Sequence, residues 1–276
     1  MRYVVNLLIF TVVLTSFGQT SSQAGELFPD ENLEKVVRKY VFAKRNNDEP
    51  LTESDVEKIS TIAGKNSGIR SLKGLEKCYS LAMIDLENNN ISDLSPIAEL
   101  TNLQSINVAD NAISDIKPLA KLTRLQYLEL SNNQVSDLSA LSKLSNMRSL
   151  YLSRNKITDI APIAELKKIW TLYLNGNSVK DLSPLKGLRW LSSLHLRHNG
   201  ISDLSPLAEL KDLKTLMLER NQIKSLDQLI GIAKQNPEMS MFLKVYLAKN
   251  PLAEDSTKQI ESLKEMGVKV TVEPTP

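Results

Sequence analysis

The sequence is poor in cysteine, in aromatic residues and in net charge. One cysteine in 276 residues means that no disulfide can form within the chain. The formal net charge is +2, so no overall electrostatic field attracts nucleic acid or anionic lipid. Aromatic residues make up 5% of the chain, so any place where they gather is informative. We therefore expect neither a disulfide scaffold nor a nucleic-acid-binding protein.

Long apolar runs are scarce as well, with one exception at the N-terminus. Val4 to Phe17 is apolar, and a polar run with Ser22 and Ala24 at small-residue spacing follows it. This pattern predicts a signal peptide at residues 1–24 and an exported protein, either secreted, periplasmic or at the cell surface. A buried N-terminal helix or an uncleaved anchor is the alternative. No second apolar run follows, so we expect no membrane insertion of the mature chain.

The residue patterns that carry catalysis are also missing. No nucleophile lies at a plausible spacing from a base, and the sequence has no phosphate-binding loop and no cluster of metal ligands. His195 and His198 flank Arg197, whose charge opposes a cation, and no third ligand neighbours them. The prediction is a protein that is not an enzyme and has no cofactor and no metal site.

What the sequence does have is a repeat of fixed length. Asparagines recur at intervals of 22 residues, which is the signature of a solenoid. An inward-facing asparagine can bond backbone groups of its own turn and of the adjacent turn, so we interpret this column as a structural ladder without chemistry. Its members are Asn89, Asn111, Asn133, Asn155, Asn177, Asn199 and Asn221.

Apolar residues hold constant positions around each asparagine. The residues five and three before it alternate with polar neighbours, as Ile106 and Val108 do before Asn111, and this alternation predicts a strand. On the other side of five of the turns an aspartate precedes a proline by three residues, as Asp93 precedes Pro96. That pair favours the capped start of a short helical turn. Stacked turns therefore predict a parallel sheet on one side of a curved array.

The repeat unit LxxLxxLxLxxNxIxDLxPLxxL resembles the leucine-rich repeat of the internalins and of a phosphatase-1 regulatory subunit, over about residues 59–252. The segments FPDENLEKVV and LTESDVEKI are similar to the internalin cap. The resemblance implies a bacterial binding scaffold and names no ligand. We therefore predict an α/β solenoid, a curved leucine-rich repeat array with a concave parallel β-sheet and short helical or 3-10 turns on its convex side.

Non-repeating segments at both ends of the array predict caps that cover its apolar ends. The expected divisions are a helical N-terminal cap at 25–60, the repeats at 61–230, and an irregular last repeat with a helix-strand C-terminal cap at 231–276. In the N-terminal cap, helical spacing runs from Leu33 to Val41. Cys78 takes a leucine position, which predicts a small buried side chain, with an exposed thiol that pairs between chains as the alternative.

The residues six, four and two before each asparagine should face outward on the concave sheet. Aromatic and basic residues gather there in the middle and later turns, which is the composition of a protein-binding surface. Ordinary packing between tyrosines on a sheet is the alternative interpretation. The candidate partner-binding residues are Tyr127, Tyr151, Trp170, Tyr173, His195, Arg197 and Met217.

Three functional hypotheses remain open at this point. The first is an exported, monomeric binding module that recognises a protein partner through its concave face. The second is a structural or cell-envelope scaffold without a discrete ligand. The third is an intracellular regulator similar to the phosphatase subunit, which the predicted signal peptide disfavours.

Overall fold

The computed structural model describes residues 27–254 and 256–273, and its organising element is a single parallel β-sheet. Ten short strands follow one another across this sheet in chain order. They are β1 (Thr61–Ala63), β2 (Met83–Asp85), β3 (Ser105–Asn107), β4 (Tyr127–Glu129), β5 (Ser149–Tyr151), β6 (Thr171–Tyr173), β7 (Ser193–His195), β8 (Thr215–Met217), β9 (Lys244–Tyr246) and β10 (Lys269–Thr271). The predicted solenoid is confirmed.

Each strand points its central residue into the array and its two outer residues onto the sheet face. Ile106 of β3 and Leu128 of β4 are adjacent in register and fully buried, whereas Tyr127 and Glu129 on either side of Leu128 are half-buried. Burial of a side chain of this size contributes roughly 1.5–3 kcal/mol. Because every turn supplies several such residues, one apolar core runs the length of the array.

Short 3-10 helices form the opposite side of the turns. They cover Leu75–Lys77, Ser95–Ile97, Lys117–Lys121, Ser139–Lys143, Ala161–Glu165, Ser183–Leu185 and Ser205–Glu209. The Oδ1 atom of Asp93 accepts a hydrogen bond of 2.7 Å from the amide of Ser95, and Asp159 accepts one of 2.8 Å from Ala161. The aspartate therefore bonds the first amide of the helix from two residues before it, and the residue between them, Leu94 or Ile160, is the N-cap.

The column of asparagines lies along the inside of the strand ends. Asn133 donates from Nδ2 to the carbonyl of Leu130 in its own turn at 3.0 Å and to that of Val108 in the preceding turn at 2.9 Å. Its Oδ1 accepts from the amide of Ile113 at 2.9 Å. The other asparagines of the column form the equivalent three bonds, and Asn250 forms them as an eighth member.

The N-terminal end of the array is covered by α1 (Glu31–Arg38) and α2 (Glu53–Val56). Asp30 caps α1, because its Oδ1 accepts from the amides of Asn32 and Leu33, while its Oδ2 accepts from Arg70 and Ser71 of the first turn.

Two further features define how this cap packs. α1 ends before Tyr40, which the helical spacing had included, and the Tyr40 hydroxyl instead accepts a 2.8 Å hydrogen bond from the Ala63 amide. Gly74 has a φ of +104°, and a Cβ there would lie 2.3 Å from the carbonyl oxygen of Leu27. Only glycine lets the cap approach the first turn this closely.

The C-terminal end has three helices, α3 (Asp227–Gln235), α4 (Pro237–Ser240) and α5 (Ser256–Glu265). The Gln259 side chain holds the start of α3. Gln259 Oε1 accepts from the Leu226 amide at 2.9 Å, and its Nε2 donates to Asp227 Oδ1 at 2.9 Å. A second helix begins at Pro237, a residue suited to the first helical position.

Cys78 is fully buried, and burial raises the pKa of its thiol to about 12. This finding excludes the alternative of an exposed, pairing thiol. The predicted signal peptide lies outside the described residues. Within the described part of the chain, no helix has both the length and the apolar character needed to cross a membrane.

Candidate binding face

Four aromatic rings follow one another across the middle of the sheet face. The centroids of Tyr127 and Tyr151 are 5.4 Å apart, and those of Tyr151 and Tyr173 are 4.8 Å apart with the rings edge to face. His195 stacks on Tyr173 at 3.6 Å with only 12° between the ring planes. We call these four residues the aromatic row. Three of them sit in register on β5, β6 and β7, whereas Tyr127 reaches the row from the other outward position of β4.

The aromatic row carries no charge at neutral pH. Burial lowers the pKa of His195 to about 4, and the nearby Arg197 charge adds to this effect. Burial also raises the pKa of Tyr127 to about 12. The imidazole and the phenol are therefore neutral, and the row presents stacked, half-buried rings with polar tips.

Acidic and basic side chains lie on either side of the row, and several of them are paired within the chain. Lys65 Nζ lies 2.7 Å from Glu87 and 3.3 Å from Asp85 at the N-terminal side. Arg197 forms an ion pair with Glu219 at 2.8 Å on the C-terminal side. These pairs reduce the net charge that each side of the row presents to a partner.

Two of the candidate residues lie outside the aromatic row. Met217 follows His195 in register on β8. Trp170 immediately precedes β6, and its ring contact is with Trp190, at a centroid distance of 6.3 Å. The structure thus brings together Tyr127, Tyr151, Tyr173 and His195, extends their line to Met217, and places Trp170 in a second aromatic pair.

Sequence comparison matches the leucine-rich repeat family in five overlapping segments, at residues 101–143, 123–168, 145–187, 168–208 and 189–231. No curated protein sequence matches the chain. Among solved structures, the chain is similar to internalin C2 of Listeria monocytogenes, with 33% identity and a TM-score of 0.71. That similarity covers 75% of this chain and 91% of the internalin. The chain belongs to the internalin-like leucine-rich repeat family.

More distant structures share the fold of this internalin-like protein. A leucine-rich repeat protein of Leptospira interrogans is 21% identical with a TM-score of 0.64, over 73% of this chain and 57% of that one. The ectodomain of the Arabidopsis thaliana receptor kinase GASSHO1/SCHENGEN3, solved in complex with CASPARIAN STRIP INTEGRITY FACTOR 2, is 23% identical with a TM-score of 0.58. The second match covers 67% of this chain and 23% of the receptor.

The residues four positions before the ladder asparagines form one outward-facing column, and one member of it was not predicted from the sequence of this internalin-like chain. Tyr246 pairs in register with Met217, so the column that contains Tyr151, Tyr173 and His195 includes another tyrosine on β9 before it ends at Thr271. The interval from Asn221 to Asn250 is 29 residues rather than 22, which hides this equivalence from a search at fixed spacing. Counting back four residues from Asn250 would have found it.

The residue just before each ladder asparagine adopts a left-handed backbone conformation, which the spacing did not reveal. Its φ lies between +54° and +66° in Asn88, Asp110, Asn132, Arg154, Gly176, His198, Arg220 and Lys249, and Asn66, which precedes Ser67 in the first turn, adopts the same conformation. Asparagine, aspartate and glycine tolerate this region, whereas arginine, histidine and lysine adopt it at a cost. In the later turns of the internalin-like array, basic residues therefore occupy strained backbone positions. Two of these side chains meet, with Arg220 Nη1 3.2 Å from His198 Nε2.

Proposed function

We propose that this chain is an exported binding module that recognises a protein partner through the aromatic row. The observation that carries the proposal is the row itself, because a chain with 5% aromatic residues stacks three tyrosines and a histidine on consecutive strands of one open face. Tyrosine rings supply large contact area with little loss of conformational entropy on binding, which is why they are frequent in binding hot spots.

The order within the row supports a role in binding. Each ring is held by its neighbour, so the surface is already arranged before a partner arrives, and preorganisation of this kind reduces the entropic cost of binding. The neutral rings can be desolvated cheaply, whereas the ion pairs at Lys65 and Arg197 stay at the margins. This division into an apolar centre and a polar rim is typical of protein interfaces.

Relatives support the same class of function. The GASSHO1/SCHENGEN3 ectodomain, which has the same fold, was solved in complex with CASPARIAN STRIP INTEGRITY FACTOR 2, and the plant peptide hormone receptor RGFR1 was solved in complex with RGF2. Export rests on the predicted signal peptide at residues 1–24. We further propose that the mature chain is a monomer without catalytic activity.

The test replaces two central rings of the row, Tyr151→Ala and Tyr173→Ala together. Cross-linking of the purified chain to native envelope or host-surface extracts should capture a defined protein with the wild type and lose it with the double variant. Tyr79→Ala is the matched control, because Tyr79 is an exposed tyrosine that lies outside the strands. Circular dichroism should show that all three proteins keep the fold.

Equal capture by the double variant and the wild type would refute the aromatic row as the binding surface. Self-association that rises with protein concentration, with no captured partner, would favour the structural scaffold instead. Unprocessed protein in the cytosol would refute export and support the intracellular regulator.

A further inference from the structure

We propose that Trp170 and Trp190 form, with three polar neighbours, a second binding site that takes a neutral sugar residue. The two tryptophans lie on adjacent turns, beside the edge of the sheet at which β6 and β7 begin. Their ring centroids are 6.3 Å apart, with an angle of 36° between the ring planes. This site lies outside the aromatic row, and its existence does not depend on the function proposed for that row.

Both indoles are exposed far beyond what packing within the array requires. Trp170 is 50% exposed and Trp190 is 57% exposed. They are also the only tryptophans of the sequence. A pair of large rings that contact each other and remain half in water contributes little to the core, so its position points to a ligand.

A shallow depression of about 270 Å³ lies against the two indoles and is lined by Ser192, Asp212 and Lys214. Within the described part of the chain, the side chains of these three residues form no hydrogen bond or ion pair. The depression therefore offers a free carboxylate acceptor, a free ammonium donor and a hydroxyl beside two apolar surfaces.

This combination selects among ligand classes. Lys214 repels a cation and Asp212 repels an anion, so neither charge sign is favoured. A purely apolar ligand would remove both charged groups from water without giving them partners, which is costly. A neutral sugar satisfies all of these conditions. Its C–H face rests on the negative face of an indole ring, one hydroxyl donates to Asp212, and another accepts from Lys214.

The size of the depression narrows the ligand further. It is smaller than the roughly 300–1,000 Å³ of typical small-molecule pockets. It also lies open on the surface rather than inside the protein, since both indoles are exposed. We therefore expect it to hold one sugar ring, for example at the end of a longer glycan.

The test uses the intrinsic fluorescence of the full chain, since Trp170 and Trp190 are the only indoles that report. Methyl glycosides of glucose, galactose, mannose and N-acetylglucosamine are titrated separately into the protein. At least one of them should change the emission in a saturable way. Trp190→Ala leaves one reporter at the site and should abolish the saturable response.

Two further variants separate binding from a change in the environment of the rings. Asp212→Ala and Lys214→Ala keep both indoles, and each should weaken sugar binding by about tenfold, because each removes a hydrogen bond to a charged group. Lys211→Ala is the matched control, because Lys211 is exposed on the same turn but lies outside the depression, and it should leave binding unchanged.

Absence of a saturable response to all four glycosides would overturn the proposal. An emission change that follows protein concentration without any sugar would overturn it in favour of a contact between two copies of the chain. Loss of the aromatic row through Tyr151→Ala and Tyr173→Ala should leave the sugar response intact, so the two proposals can fail separately.

Discussion

The asparagine column and the aromatic row cross the same strands, but they follow different rules. Inside the turn, the same residue recurs because it must satisfy the same backbone groups every time, as Asn133 does for Val108, Leu130 and Ile113. On the sheet face, the residue four before the asparagine changes from Glu129 to Tyr151 with no effect on the register. The comparison teaches that the repeat constrains the interior and leaves the face free to be specialised for a partner.

Removal of one asparagine of the column is the strongest test of whether the interior is constrained in this way. Asn133→Ala leaves buried carbonyl and amide groups of two turns without their partner, so we expect the free energy of unfolding to fall by about 2–4 kcal/mol. Urea unfolding followed by circular dichroism measures the loss. Asn146→Ala is the control, because Asn146 is a half-buried asparagine outside the column whose side chain bonds only the Thr123 carbonyl and the exposed Lys168 ammonium. Equal losses in the two variants would show that the column has no special role.

Asp30 joins the N-terminal cap to the first turn through hydrogen bonds to backbone amides of both, as each asparagine of the column joins two turns. Its substitution tests whether this carboxylate stabilises the fold in the same way. Partial burial acts to raise the pKa of Asp30, but hydrogen bonds from the amides of Arg70, Ser71, Leu33 and Asn32 outweigh it, and the net pKa is lowered. Its stabilisation is therefore present above about pH 4 and is lost as the pH falls through the lowered pKa of the folded state.

We expect Asp30→Asn to cost about 1–2 kcal/mol at pH 7, since an amide cannot accept from both pairs of backbone donors. The difference between wild type and variant should narrow below about pH 4. Urea unfolding from pH 3 to pH 7 measures it. Asp48→Asn, at an exposed position of the loop after α1, is the control variant, and a constant difference for Asp30→Asn would contradict the prediction.

The aromatic row should contribute to stability as well, but less than the column inside. Tyr151 and Tyr173 meet edge to face, and such pairs contribute about 0.5–1.5 kcal/mol beyond their buried area. A double-mutant cycle of the two alanine variants should return a coupling energy in this range. Tyr79→Ala with Tyr173→Ala should instead be additive. Absence of coupling between Tyr151 and Tyr173 would mean that the rings do not order one another.

The smallest expected effect on stability concerns the residues with a left-handed backbone conformation that precede the asparagines of the column. Arg154→Asn replaces a residue that is strained at a φ of +55° by one that tolerates this region, so it should stabilise the fold by up to about 1 kcal/mol. Thermal unfolding measures the gain. Arg148→Asn, an exposed arginine outside that column, should give no gain. A loss of stability in Arg154→Asn would show that the arginine side chain offsets its own strain.

Much of the fold could be predicted because the 22-residue period assigns each residue either to the buried interior of its turn or to the exposed surface. Once the asparagines are aligned, Ile106 falls inside and Tyr151 falls outside, and the predicted solenoid follows. The contacts at the two ends could not be predicted in this way, because they join residues that are distant in sequence. Gln259 holds the start of α3 across more than thirty residues, and no local pattern indicates this bond.

The candidate site was predictable by position but not by contact. The columns placed Tyr151, Tyr173 and His195 on one face, yet they did not show that the rings stack or that Trp170 turns to Trp190. They also gave no sign of the strain at Arg154, because backbone conformation depends on the turn rather than on the side chain. Ring geometry and φ values arise from three-dimensional packing, which a one-dimensional period does not describe.

The eighth asparagine has a consequence for how this protein could be modified. Asn250 makes the same three bonds as the others although 29 residues, not 22, separate it from Asn221, and the additional length is taken up by α3 and α4 on the far side of the turn. Hydrogen bonds rather than residue number thus determine where each turn closes. A designer could therefore graft extra segments onto that side of other turns, such as a reporter peptide after Ser142, and keep the opposite face unchanged.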